Sequence, residues 1–269
     1  MRTSTLPRQQ MKKLLASQNE IKAWVKDNGC LVIGVGMLKG GTGKTTMTIF
    51  FALYLAVILG LKVLVIDTDN NSQSIDNWYK VREARVDDEG NPEPEKVPFD
   101  LVTYDCKTKA EDDPDLDDVI DSFRDTYDVI LVDSGGAGKE EYWELCKSAH
   151  MVFLPFAPSG YEWNRIAPTA KTAARGGKAN EARLKVFVCM VKCTRRNTLA
   201  ADARPVVEAI MAAKIDGDIR EKIDIGFVGE EFEISDAPEY PRSWDETPRR
   251  TDLEEAGHLF RHGMKAVIS

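Results

Sequence analysis

The sequence predicts an α/β protein with a doubly wound, mostly parallel sheet flanked by helices, and three observations carry that expectation. From Leu31 onward, short apolar runs recur: "LVIGVGM", "KVLVIDTD", "FDLVTYD", "YDVILVDS", "HMVFLPFAP", "LKVFVCMVK" and "KIDIGFVG". Runs that are apolar at successive positions, and rich in Val and Ile, suit strands covered on both faces. The stretches between them are helix-like and long enough to serve as crossovers of a parallel sheet. The third observation is a glycine-rich turn, "LKGGTGKTT" from Leu38 to Thr46, set between the first run and a long apolar segment.

Residues 1–30 read as an N-terminal helical extension ahead of the main domain, residues 31–269. Arg2, Arg8, Lys12, Lys13, Lys22 and Lys26 make the segment basic, while Leu14, Leu15, Ile21, Trp24 and Val25 form an apolar stripe. One amphipathic helix over residues 1 to about 27 is expected, packing on the domain or on a second subunit, with DNA or a partner as the alternative contact. The apolar run "MTIFFALYLAVILGL", Met47 to Leu61, is shorter than the roughly 20 residues of a membrane span and starts on the glycine turn, so a buried helix is expected. "VDDEGNPEPEKVP", from Val86, reads as a surface loop. "AEDDPDLDDVIDSFRD", from Ala110, opens a helix at or near Pro114, where carboxylates favour the positive end of the helix dipole and need no metal to explain them. The C-terminal "TDLEEAGHLFRHGMKAVIS" has a helical apolar face but lacks the basic, bulky tip of a membrane-targeting helix.

Composition excludes some functions. A formal charge of -8 over 269 residues, with a pI near 5.1, argues against a chain that coats nucleic acid with its whole surface, and leaves only a local basic patch. Cys30, Cys106, Cys146, Cys189 and Cys193 are odd in number and scattered, the usage of a reduced cytoplasmic protein. The first residues show no continuous apolar stretch of an export signal, which points the same way. His258 and His262 lie four apart without a third ligand, and Cys189 and Cys193 are too few for zinc or an iron–sulfur cluster; packing roles are expected.

A strand, a glycine-rich turn and a helix, in that order, aim free backbone N–H groups at one spot at the positive end of the helix dipole. The P-loop pattern G-x-x-x-x-G-K-[ST] is met at Gly43, Lys44 and Thr45, though its first glycine position holds Leu38. Lys44 is expected to reach the β- and γ-phosphates, Thr45 to bind Mg²⁺, and the amides of Gly40, Gly41, Thr42, Gly43, Lys44, Thr45 and Thr46 to wrap the phosphate. Asp67 and Asp69 end the second strand at the sheet's carboxyl edge, one of them open to the alternative of capping the next helix. Asp133 ends "YDVILVD", the strand-tip carboxylate needed across from Thr45 to hold Mg²⁺.

"KGGTGKTT" resembles the deviant Walker A motif of ParA/MinD-type ATPases, in which a signature lysine precedes two glycines. The resemblance implies that Lys39 reaches across an ATP-sandwich homodimer to the partner's phosphates, that Asp69 orients the attacking water and that Asp67 joins Asp133 and Thr45 around Mg²⁺. Where the family has D-x-D-P-Q, this chain has Asn70 and Asn71 after Asp69. "SGG" after Asp133 resembles the family's γ-phosphate-sensing turn, and "FLPFAPSGYEWNRI" and "VFVCMVKCTRRNTLAADARPVVEAI" resemble later family segments, base contacts being expected near Lys192 to Thr194. The resemblance spans about residues 31 to 268. It implies an ATPase domain that uses ATP and Mg²⁺, binds non-specific DNA through scattered basic residues, and works with a ParB-type centromere-binding protein in plasmid or chromosome partition. Such a protein is cytoplasmic and joins the nucleoid when ATP-bound. The candidate basic residues are Lys171, Arg175, Lys178, Lys185, Arg195 and Arg196, with Arg242, Arg249 and Arg250 as a second cluster. The rival readings are a MinD-like positioning ATPase for protein or membrane cargo and a metabolic P-loop kinase or ligase.

Overall fold

The structure is a computed structural model, and it describes residues 15–69, 74–87, 89–92, 97–105, 113–135, 139–157, 160–180, 184–193, 224–228, 234–235 and 250–269. The seven apolar runs all become strands: β1 (Leu31–Val35), β2 (Val63–Asp67), β3 (Asp100–Thr103), β4 (Val129–Asp133), β5 (Met151–Phe156), β6 (Lys185–Cys193) and β7 (Asp224–Val228). A two-residue β8 (Ile234–Ser235) adds to β6, and the sequence carried no sign of it. All pairs between the named strands are parallel, in the order β3-β2-β4-β1-β5-β6-β7. From β1 the chain steps out to β2 and β3, returns to place β4 between β2 and β1, and then continues on the other side of β1 with β5, β6 and β7, the doubly wound arrangement expected.

Alternate residues of the central strands enter two separate cores. Leu31, Ile33 and Val35 of β1 join Val129 and Leu131 of β4 on one face, while Val32, Ile130 and Val132 point to the other. The first face is covered by α1 (Gln18–Asn28), α2 (Lys44–Leu53), α3 (Ser74–Glu83) and α7 (Arg250–Ile268). The second is covered by α4 (Leu116–Phe123), α5 (Lys139–Ser148) and α6 (Gly160–Gly177). Burial on both faces is why these strands read as continuous apolar runs.

Of the helix expected over residues 1 to about 27, residues 1–14 lie outside the described residues; the described part begins at Gln18, where Ser17 and Glu20 form a capping box. Ile21 and Val25 are buried, as are Leu15 and Ala16 just before the helix. Backbone and side-chain bonds between Ala16 and Arg261 tie this segment to α7, and Lys265 pairs with Glu20 at 3.4 Å. The Met47–Leu61 segment is the buried helix expected, continuing from α2 into a π-helical turn at Tyr54–Ile58. There α7 crosses closely: a Cβ on Gly257 would lie 2.2 Å from the Tyr54 ring. Among the described residues, no helix is long and apolar enough to cross a membrane.

Candidate functional site

Three strand tips meet at the carboxyl edge of the sheet. Val35 stands in register with Asp133, and Asp67 with Asp133 on its other side. The turn that leaves β1 passes Gly36, where a Cβ would come within 2.3 Å of the Tyr142 ring and 2.9 Å of Ser134 Oγ, so only glycine lets the turn lie this close to β4 and α5. Gly41 and Gly43 then take φ values of 76° and 91°, the left-handed region that favours glycine. Gly43 is the N-cap of α2, and no side chain caps that helix. The first N–H groups of α2 are therefore left for an anion.

Beneath this turn the polar groups converge on Asp133, which is buried. Thr45 Oγ1 donates to Asp133 Oδ2 at 2.7 Å, and the Thr48 hydroxyl, one turn further along α2, lies 3.2 Å from Oδ1. Thr68 joins the β2 and β4 tips, its hydroxyl donating to the Asp133 carbonyl at 3.0 Å and accepting from the Gly135 N–H at 3.0 Å. Asp67 Oδ1 accepts the Asp69 N–H at 2.9 Å, while its Oδ2 is buried without a hydrogen-bond partner among the described residues. Burial pushes Asp133 up to about 7, with the Asp67 charge adding to the rise, and Asp67 up to about 6, with the Asp69 charge adding to it. Lys44 is buried too. Its Nζ donates to the Lys39 carbonyl at 3.0 Å, and burial lowers its pKa against the attraction of Asp133, Asp69 and Glu162. Thr42 Oγ1 and Ser134 Oγ are further buried polar atoms without a partner among the described residues.

The other side of the turn rests on α6. Thr169 Oγ1 accepts the Leu38 N–H at 3.4 Å, and Leu38 packs against the second core, which gives the departure from glycine at this position a packing role. Lys39 Nζ lies 3.4 Å from Glu162 Oε1 of its own chain, and Glu162 Oε2 accepts the Ala157 N–H.

The structure thus brings half-buried Thr45 and buried Lys44, Asp67 and Asp133 together at the strand tips, with Thr42 buried in the turn itself. Gly40 and Gly41 lie exposed on that turn, and Lys39, Thr46 and Asp69 are half-buried. Asn70, Asn71, Thr194, Arg195, Arg196, Arg242 and Arg249 lie outside the described residues, as do the side chains of Lys192 and Arg250. Three participants went unread in the sequence. Thr48 had a signal, since it follows Thr45 by three and shares its helix face. Thr68 and Glu162 had none, because each is defined only by a partner distant along the chain.

Elsewhere, the acidic start of α4 brings Asp115, Asp117 and Asp118 together, with Asp117 paired to Lys147. His258 is half-buried and its pKa is lowered by burial, in keeping with packing.

The sequence model of the family described as ATPase MipZ matches residues 31–207, more than half of the chain, from β1 through the phosphate turn, the strand-tip carboxylates and α6. The chain belongs to the MipZ ATPase family. It is thereby a ParA/MinD-type P-loop ATPase by family, as the lysine before the two glycines implied. Solved structures share its fold. The pNOB8 ParA bound to nonspecific DNA is 16% identical, with a TM-score of 0.56 over 88% of this chain and 99% of that one. A plasmid partition protein from Borrelia burgdorferi B31 bound to AMPPNP is 16% identical, with a TM-score of 0.58 over 89% of this chain and 100% of that one. Cobyrinic acid a,c-diamide synthase from Mycobacterium smegmatis, with ADP and magnesium, is 17% identical, with a TM-score of 0.50 over 68% of this chain and 81% of that one. No curated protein sequence matches significantly.

Proposed function

We propose that this MipZ-family chain is a Mg²⁺-dependent ATPase that forms an ATP-sandwich homodimer, binds DNA without sequence preference, and drives DNA partition with a ParB-type partner that stimulates hydrolysis. The observation that carries the reading is the bond from half-buried Thr45 to buried Asp133, set under an uncapped helix start that holds the buried Lys44.

The donor set suits a hard divalent cation, because it is all oxygen and includes the unpartnered Oδ2 of Asp67. Thr45, Asp67 and Asp133 would hold Mg²⁺, which when bound neutralises charge on the phosphates. The remaining work falls to the chain. Amides from Gly40 to Thr46 cradle the β-phosphate, and Lys44 exchanges the neutral Lys39 carbonyl for the β- and γ-phosphates, a charge-assisted bond in a dry pocket. Asp69 orients the attacking water. Lys39 of one protomer completes the other's site, as a cation delivered to the transferring phosphoryl group. Slow turnover suits this role, since the ATP-bound state is the signal and hydrolysis ends it.

For DNA, the support is a row on α6: Lys171, Arg175 and the adjoining Lys178 are all exposed, at spacings that share a helix face, with Glu162 the helix's one acidic residue and buried. Among the proteins that share the fold, the pNOB8 ParA is bound to nonspecific DNA. The fold does not separate partition from metabolic ligation, because a diamide synthase shares it. A ligase working within one subunit needs no cation from a second copy, so the response of assembly to loss of Lys39 separates the two readings.

The test is the size of the wild type and of Lys39→Ala with ATP, with ADP and without nucleotide, together with retention on DNA. ATP is expected to dimerise the wild type, and the variant to lose hydrolysis and alter its ATP-dependent assembly. No response of either protein to ATP, in size or DNA retention, overturns the proposal.

A further inference from the structure

The sequence motif left Glu162 unassigned, yet it is the residue that holds Lys39. Its carboxylate is nearly buried, at 10% side-chain exposure, whereas the Lys39 side chain is 35% exposed. One oxygen is fixed by the Ala157 amide at the end of β5, and the other faces the Lys39 ammonium at 3.4 Å. A carboxylate pinned to backbone at one oxygen offers a fixed partner, so the mobile member of the pair is the lysine. The same ammonium cannot sit on Glu162 and extend to a second subunit.

We propose that Glu162 is a positioning residue that parks Lys39 within its own subunit until nucleotide-dependent assembly draws it away. The inference rests on the dimer reading above for its consequence, but the parking itself is a property of the single chain. A half-exposed ion pair is worth a factor of about five at most, weak enough for a triphosphate to displace and large enough to shift the ATP concentration needed for assembly. The Glu162 charge also favours the protonated form of Lys44.

Glu162→Gln is the informative variant, because its amide oxygen still accepts the Ala157 N–H while the charge that attracts Lys39 is gone. Two measurements are made on the full chain. In the nucleotide-free protein, acetylation of Lys39 by acetic anhydride is followed by mass spectrometry, with surface lysines as internal reference. In the second, ATP is titrated against dimer mass by light scattering. Faster labelling of Lys39 in Glu162→Gln, a half-saturating ATP concentration lowered by up to about fivefold, and a double variant with Lys39→Ala that behaves as Lys39→Ala alone are expected. An unchanged melting temperature shows that the effect is not one of folding. Unchanged Lys39 labelling overturns the parking role, as does a Glu162→Gln dimer that needs as much ATP as the wild type or more. Faster labelling without any ATP-dependent dimer in the wild type keeps the parking contact and overturns the dimer reading instead.

Discussion

The two ends of the central sheet are built from the same strands and treat their buried polar groups in opposite ways. At the amino end each group we can follow is closed by a protein partner. The Val32 N–H donates to His150 Nδ1 at 3.0 Å, the Lys62 N–H to Asp128 Oδ2 at 2.8 Å, and Asn180 Nδ2 caps α5 through the Cys146 and Ala149 carbonyls. Trp24 of α1 then covers the His150 ring edge-on, with centroids 5.2 Å apart. At the carboxyl end, Thr42 Oγ1, Asp67 Oδ2 and Ser134 Oγ have no partner among the described residues, and a lysine and two carboxylates are buried together. Unpaired buried polar atoms cost stability. A sheet that satisfies one rim and leaves the other unsatisfied has the second reserved for something that arrives with its own charge.

Substitutions separate the two rims. Lys44→Ala should show the largest effect, lowering ATP hydrolysis by at least about a hundredfold, as measured by phosphate release. Its melting temperature should stay level or rise, since the lysine is held in the fold against its desolvation. A loss of both activity and stability would erase the contrast. His150→Ala should do the reverse, costing about 1–3 kcal/mol in chemical denaturation because it orphans the Val32 N–H, with hydrolysis per folded molecule unchanged. His150 also makes a pH test. Its pKa falls from 6.5 to about 4, through burial first and then the nearby Arg124 charge. The native state thus favours the neutral ring, and its contribution is whole above pH 6.5 and is lost as pH falls towards about 4. The stability gap between wild type and His150→Ala should therefore narrow over that window, and a gap that widens reverses the assignment.

At the carboxyl rim the sign differs, since burial raises both acids. A cation entering between them must displace a proton once the pH is below about 7, the value to which Asp133 is raised. Half-saturating Mg²⁺ in the hydrolysis assay should then rise by roughly tenfold per pH unit below that point; a flat profile would place the cation elsewhere. The smallest effect concerns a surface on neither rim. Each of Lys171→Gln and Arg175→Gln should weaken DNA retention about equally for all sequences and lower the slope of log affinity against log salt by about 1. A slope left unchanged removes α6 from the DNA-facing surface.

Much of this was legible before any coordinates. Continuous apolar runs reported strands because burial on both faces leaves no polar alternation to confuse them, and the phosphate turn was legible because Gly41 and Gly43 adopt backbone angles few other residues tolerate. The residues of β8 escaped because two positions cannot show a period. A single helix running through residues 15–17 was expected because Leu15 continues the apolar stripe, whereas the Ser17–Glu20 capping box, a local hydrogen-bonding matter, sets where α1 begins.

By itself the amino-acid sequence determined the elements and the chemical kit: seven core strands, a turn that only glycines can make, two lysines around it and three aspartates at strand tips. Only the tertiary structure decided the strand order and which of those groups meet. Parallel neighbours are joined by crossovers that leave no local trace of adjacency. For the same reason Asp133 found Thr45 and Thr48 across 88 and 85 positions, and Lys39 found Glu162 across 123. Contacts of that span are set by how helices dock on a twisted sheet, and no single stretch of chain encodes them.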